Sequence, residues 1–165
     1  MKSHVVFCLL LCFRFFWVKR LFFVRMEPSI LLVSKRDGSA FRVPTKGAQL
    51  SKLVQAALSD DQPAELVVDV AGDVLALVAA YMSYHQHSEP FKVECPLRSK
   101  RMADMCVDLW DADFIDQADP VALAQSAYYL DMPVLTHLCC AKIATKFWNR
   151  DPSQIHGMLK KERDG

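Results

Sequence analysis

The sequence has little of the material from which catalytic loops are built, with only five glycines among 165 residues. It contains no glycine-rich phosphate-binding loop, no Gly-x-Ser-x-Gly turn and no His-Glu-x-x-His helix. The enzyme classes that those motifs identify therefore have no support here. We expect a protein without catalytic activity, without catalytic residues and without a cofactor.

The six cysteines do not form a Cys-x-x-Cys pair or the spacing of a small disulfide-rich domain. We therefore expect reduced thiols and a location in the cytoplasm and nucleus. His137 with Cys140, or His85 with His87, would provide half of a zinc site, but neither has a second pair at ligand spacing, and we expect no metal. A nucleophilic thiol beside His137 is the other reading, but the apolar rows of that helix favour unreactive core cysteines.

The chain lacks a strong charge of either sign, with a formal net charge of +1. The charge is unevenly distributed along the chain, because residues 1–25 carry five basic side chains and no acidic one. The remaining residues have fifteen basic and nineteen acidic side chains, a net charge of −4. A mildly acidic body gives no electrostatic reason to expect nucleic-acid binding.

The first 25 residues are apolar and basic, but their longest uninterrupted apolar run, residues 5–13, is only nine residues. That is about half the length needed to span a bilayer. Three interpretations stay open: an extension upstream of a working start at Met26, a signal peptide, or a membrane anchor. We favour the first, because the pattern of a folded domain begins directly after Met26, and we do not expect a membrane as a partner.

Short apolar stretches after Met26 predict a small three-stranded sheet. Residues 29–34 and 40–43 flank Asp37-Gly38, the pattern of a β-hairpin. Residues 66–70 predict the third strand. The sequence therefore predicts a hairpin and one further strand in the first half of the chain.

The other stretches have helical spacing of apolar residues. One helix is predicted over residues 45–58 and another over residues 72–85. In the second half, Asp119, Asp131 and Asp151 each precede a proline by one or two residues, which is typical of a capped helix start. We therefore expect a helical second half, joined to the first by a polar connector that contains a basic cluster at residues 98–101.

Three short motifs, in order and at consistent spacing, resemble the Skp family. They are the helix end from Tyr81 to His85, Trp110-Asp111-x-x-Phe114 and Ala127-Tyr128-Tyr129-Leu130-Asp131. The resemblance implies an α+β fold, with a BTB/POZ-like core of a small three-stranded sheet and helices, followed by a helical C-terminal extension. It divides the chain into the extension 1–25, a core 26–106 with a flexible loop 86–106, and a helical dimerisation and F-box-binding region 107–165. That last region is truncated relative to the family, which continues into a further helix.

The resemblance also implies a non-catalytic adaptor that bridges F-box substrate receptors to a cullin scaffold in an SCF-type E3 ubiquitin ligase, for ubiquitin-dependent protein degradation. The alternative is an elongin-C-like or other BTB/POZ interaction module in a non-SCF complex. The implied cullin-binding residues are Tyr128, Tyr129, Tyr84 and His85. The implied F-box-binding residues are Leu135, Leu138, Cys139, Lys142, Ile143, Lys146, Ile155 and Leu159. Tyr128 stands where the family has Asn, and the apolar members of the second set also suit the domain's own core.

Overall fold

The computed structural model describes residues 28–61, 65–88 and 90–164, so the predictions for residues 1–25 lie outside the described part. Its strands are β1 (Ser29–Ser34), β2 (Ala40–Pro44) and β3 (Glu65–Val68). Its helices are α1 (Thr45–Ala48), α2 (Lys52–Asp61), α3 (Gly72–Tyr84), α4 (Leu109–Gln117), α5 (Pro120–Tyr129), α6 (Pro133–Lys146) and α7 (Pro152–Asp164). Short 3₁₀ turns occupy His85–His87 and Met102–Asp104.

The three strands form one sheet with β1 in the centre. β2 pairs with β1 in antiparallel fashion through a hairpin in which Gly38 has a φ of +73°, a conformation that glycine adopts without strain. β3 pairs with β1 in parallel, because β2 ends beside the start of β1 and α1 and α2 then connect that end to the opposite edge of the sheet. The predicted hairpin is therefore confirmed, and the third strand begins one residue earlier and ends two residues earlier than predicted.

The single helix predicted over residues 45–58 is wrong, because the chain forms two helices with a break between them. Gly47 lies against α3 so closely that a Cβ atom there would be 2.0 Å from the carbonyl oxygen of Met82. The buried Ser51 donates its hydroxyl to the carbonyl of Leu130 and accepts a hydrogen bond from the backbone N–H of Val54, at the start of α2. Contacts with distant parts of the chain, which helical periodicity does not report, therefore set the break.

The prediction that Asp131 caps α6 is also wrong. Met132 occupies the cap position without a side-chain hydrogen bond, and Asp131 has a left-handed φ of 50°. The Asp131 carbonyl instead accepts a hydrogen bond from the backbone N–H of Lys52 at the start of α2. Asp119 and Asp151, in contrast, accept backbone N–H groups of α5 and α7, as their spacing before proline predicted.

One continuous hydrophobic core joins the sheet to the helices of both halves. Leu32 from β1, Met82 from α3 and Leu135 from α6 are all buried in it. The mixed architecture is compatible with the predicted α+β class, whereas the BTB/POZ-type assignment and the domain boundary at residue 106 stay predictions. Among the described residues, no helix has the length and apolar content needed to cross a membrane.

Candidate interaction surfaces

The end of α3 and the start of α4 are joined by a buried polar pair. The Nε2 atom of His85 lies 2.8 Å from the Oδ1 atom of Asp111, and the two side chains are 3% and 5% exposed. Burial raises the pKa of the Asp111 carboxyl, while the hydrogen bond from His85 acts in the opposite direction. Because both residues are shielded from solvent, this pair stabilises the junction and does not present a binding surface.

Aromatic rings extend this junction towards the surface. Tyr84 stacks on Trp110 with ring centroids 3.9 Å apart and planes 6° apart, and Trp110 stacks in turn on Phe114 at 5.0 Å. The Tyr84 hydroxyl donates to Asp108, whose other carboxylate oxygen accepts the backbone N–H of Trp110. We call His85, Asp111, Tyr84, Trp110 and Asp108 the loop clamp, because they close the connector between α3 and α4.

The clamp brings together two motifs that sequence reasoning treated separately. The residues of the α3 end and those of Trp110-Asp111-x-x-Phe114 contact each other across a separation of more than twenty residues. The prediction that His85 contacts a cullin directly is corrected, because only 3% of its side chain is exposed. Its neighbour Tyr84, the other residue predicted at this end of α3, is 41% exposed and accessible.

Tyr128 and Tyr129 end α5 and are 80% and 46% exposed. Tyr128 lines a cavity of about 620 Å³ together with Met132, Pro133, His137 and Cys140. Tyr129 lines a different cavity, of about 410 Å³, formed with side chains that include the Arg36–Asp69 ion pair and Gln125. Consecutive helical residues point about 100° apart, so each tyrosine serves a different concave surface.

The structure separates the two halves of the predicted cullin site. Tyr84 lies in the loop clamp, whereas Tyr128 and Tyr129 lie at the end of α5, and no hydrogen bond or ring contact among the described residues joins the pairs. The accessible residues of that prediction therefore lie in two separate places, Tyr84 in the loop clamp and the two tyrosines at the end of α5.

The predicted F-box residues divide into buried and accessible members. Leu135, Leu138 and Cys139 are 1%, 3% and 0% exposed, so the expectation that they face a partner is corrected: they pack in the chain's own core. Burial also raises the pKa of the Cys139 thiol to about 12. The sequence could not separate these two roles, because both place apolar residues at helical spacing.

The remaining members offer more surface. Ile143 and Ile155 are half-buried and Lys146 is exposed. The Nζ atom of Lys142 lies 2.6 Å from the Oδ1 atom of Asp116, which ties the middle of α6 to α4. The side chain of Leu159 lies outside the described residues, although the α7 backbone extends past it.

A further exposed apolar group near α4 was missed by sequence reasoning. Val107 is 71% exposed and Leu109 is 64% exposed, on either side of the capping residue Asp108. The only signal in the sequence was two apolar residues flanking a helix cap. In the part of the chain that the structure describes, no group of three or more His, Cys, Asp or Glu side chains has the geometry to hold a metal ion.

No protein-family model matches the chain. It is similar to the S-phase kinase-associated protein 1 homolog of Tetrahymena thermophila, with 33% identity over 99 residues. That match covers 58% of this chain and 57% of the relative, so the chain matches little more than half of the length of that protein.

Two further relatives align over most of their length. SKP1-like protein 1A of Arabidopsis thaliana is 27% identical over 143 residues, which are 84% of this chain and 89% of the relative. The E3 ubiquitin ligase complex SCF subunit sconC of Emericella nidulans is 24% identical over 144 residues, which are 84% of this chain and 88% of the relative. These consistent names confirm the resemblance that the motifs predicted: the chain is similar to proteins of the Skp family.

Proposed function

We propose that the chain is a non-catalytic adaptor that bridges F-box substrate receptors to a cullin scaffold in an SCF-type E3 ubiquitin ligase. The observation that carries the proposal is the similarity, over 84% of the chain, to a protein named as an SCF ubiquitin ligase subunit. The proposal includes a BTB/POZ-type core over residues 26–106, a helical partner-binding region over residues 107–165, and a location in the cytoplasm and nucleus.

The proposed cullin surface is the end of α5. Large exposed aromatic side chains are enriched where proteins bind one another, and Tyr128 and Tyr129 are both accessible beside concave surfaces. Tyr128 replaces the family's Asn with a larger and more apolar ring. We therefore assign the cullin contact to these two tyrosines, with the accessible ring of Tyr84 as a secondary contact.

The proposed F-box surface uses α6 and α7. The half-buried Ile143 and Ile155 and the exposed Lys146 provide apolar contacts beside positive charge, and Leu159 and Lys142 complete the proposed set. Docking of this kind buries apolar side chains in a groove of the partner. The buried side chains of Leu135, Leu138 and Cys139 pack α6 against the hydrophobic core.

The test is reconstitution of the complex from purified parts. The tagged chain is mixed with a cullin, with an F-box protein and with both, and complexes are separated by size-exclusion chromatography. We expect both binary complexes and a ternary complex with one copy of each protein. Binding to cullin alone would favour the elongin-C-like alternative, and binding to neither would contradict an adaptor role.

A further inference from the structure

The sheet has a face that the hydrophobic core does not use. Successive side chains of a strand point to opposite faces, and Ile30 on β1 and Val68 on β3 are buried in the core. Leu31 and Val33 on β1 and Val67 on β3 therefore point to the other face, which we call the outer face. Among the described residues, the core and the side chains packed against it include none of these three. A sheet with one face in the core usually has polar side chains on the other, so three apolar residues there favour a surface that a partner covers.

The pairing of the strands arranges the outer face in two rows. In the first row, Leu31 on β1 lies between Arg42 on β2 and Glu65 on β3. The second row contains only apolar residues: Ala40, Val33 and Val67. Arg42 and Glu65 are exposed, and Arg42 donates a hydrogen bond to the hydroxyl of Ser29 on the same face. Neither charged side chain forms an ion pair with a described residue, so one positive and one negative charge are available on opposite edges of the sheet.

A second copy of the chain fits this pattern, because a two-fold axis along β1 makes the outer face complementary to itself. After such a rotation, β1 of one copy lies on β1 of the other, and β2 of each copy lies on β3 of the other. Arg42 of each copy then faces Glu65 of the other, and Leu31 packs on its counterpart. An axis across the strands would instead place each edge strand on its own copy and leave the opposite charges unpaired. Sheets that pack face to face, about 10 Å apart and with nearly aligned strands, are common in proteins.

We propose that the chain forms a weak two-fold dimer through the outer face of its sheet. Three strands of about five residues cover about 240 Å² of sheet in each copy. This is less than the roughly 800 Å² that each partner contributes to a stable interface of standard size. We therefore expect a dissociation constant on the order of 100 µM, so the chain is a monomer at the lower concentrations at which the proposed adaptor complex is reconstituted.

The test is sedimentation equilibrium of the isolated full chain, so it does not depend on the adaptor function. Samples from about 5 µM to about 500 µM should show a reversible change from monomer to dimer. A chain that stays monomeric at the highest concentration would overturn the proposal and leave the outer face to a partner of another kind. Larger assemblies would also contradict it, because a two-fold contact closes after two copies.

Exchange of the two charges tests how the copies are arranged. Arg42→Glu and Glu65→Arg each place two pairs of like charges in the dimer, so each variant alone should have a dissociation constant about tenfold higher or more. An equimolar mixture of the two variants should restore the original constant to within about threefold, because every Arg in the mixed dimer again faces a Glu.

The matched control is Arg98→Glu, which makes the same charge change at an 80% exposed side chain on the connector. It should alter the dissociation constant by less than about twofold. Restored association on mixing cannot result from misfolding, because it requires that both variants present a native outer face. Weakened variants that do not associate when mixed, or an Arg42→Glu variant that dimerises like the original chain, would each overturn the proposal.

Discussion

His85 and Asp111 show at the scale of single residues why a motif position can be essential without contacting a partner. Tyr81 and His85 are four residues apart, a helical spacing that places both on one face, and both are buried. That spacing could not identify Asp111, 26 residues further along the chain, as the hydrogen-bond partner. The resemblance to the Skp family implied a cullin contact for His85, whereas the structure buries its side chain, which is 3% exposed.

Replacement of Asp111 by Ala is expected to destabilise the fold by about 3–5 kcal/mol, the usual cost of removing one partner from a buried pair. The Nε2 atom of His85 would be left in the protein interior without its hydrogen-bond partner. The measurement is the free energy of unfolding from urea titration. Asp113→Ala, an exposed position on the same helix, is the control and should change stability by less than about 0.5 kcal/mol. Similar losses in the two variants would contradict the importance of the pair.

At the scale of secondary-structure elements, Asp37 connects the β1–β2 hairpin to the start of α3. Its carboxylate accepts hydrogen bonds from the backbone N–H and the hydroxyl of Ser39. It also lies against Gly72, where a Cβ atom would be 2.1 Å from the Asp37 Oδ2 atom. Hydrogen bonds from Ser34 and Ser39 hold the pKa of the Asp37 carboxyl below its ordinary value of 3.8.

A carboxyl with a lowered pKa stabilises the fold above its ordinary pKa, and that contribution disappears as the pH falls through the folded-state value. We therefore expect Asp37→Asn to be less stable than the original chain at pH 7, with the difference shrinking below pH 3.8. Thermal unfolding of both proteins, followed by circular dichroism from about pH 2 to about pH 7, measures this difference in stability. Asp113→Asn serves as the control, and a difference that grows on acidification would show the assignment to be wrong.

Element boundaries were predictable where local chemistry sets them. Asp119 and Asp151 cap α5 and α7 through their own neighbouring backbone, and their spacing before proline predicted this. The break between α1 and α2 depends instead on Gly47 and Ser51 contacting α3 and the α5 end, which are distant in sequence. Local patterns contain no information about such contacts, so these boundaries could not be predicted.

At the scale of the whole molecule, the proposed adaptor needs two surfaces that act independently. Tyr129→Lys is expected to weaken cullin binding by about 2 kcal/mol, or about thirtyfold, because it replaces an aromatic contact with a charge. F-box binding should be unchanged. Val121→Lys, at the other end of α5 and 40% exposed, is the matched control and should leave both affinities intact. Isothermal titration calorimetry with each partner measures the effect.

The complementary change is Ile155→Asp with Leu159→Asp on α7. We expect it to weaken F-box binding by at least about thirtyfold, because burying an unpaired charge is costly, and to leave cullin binding unchanged. His156→Asp, an exposed position between them, is the control. If the α5 and α7 variants each lost both partners while circular dichroism showed a native fold, the two-surface proposal would be wrong.

The candidate surfaces could be predicted only in part for a related reason. Position within a motif located Tyr128 and Tyr129, but not the fact that they open onto separate cavities. The resemblance to the Skp family implied F-box contacts at Leu135, Leu138 and Cys139, whose side chains are buried in the core. Whether an apolar helical face is covered by its own chain depends on how the helices pack, and one sequence does not contain that information.

The loop clamp also determines where the chain can change in length. It fixes both ends of the connector, and Val93 and Met102, which are 5% and 1% exposed, hold its interior to the core. The stretch between them is mostly exposed, and doubling the length of such a loop adds only about 0.6 kcal/mol of closure entropy. An insertion next to Lys100 should therefore leave the sheet and both proposed surfaces in place, which makes that position suitable for an epitope or a fluorescent label.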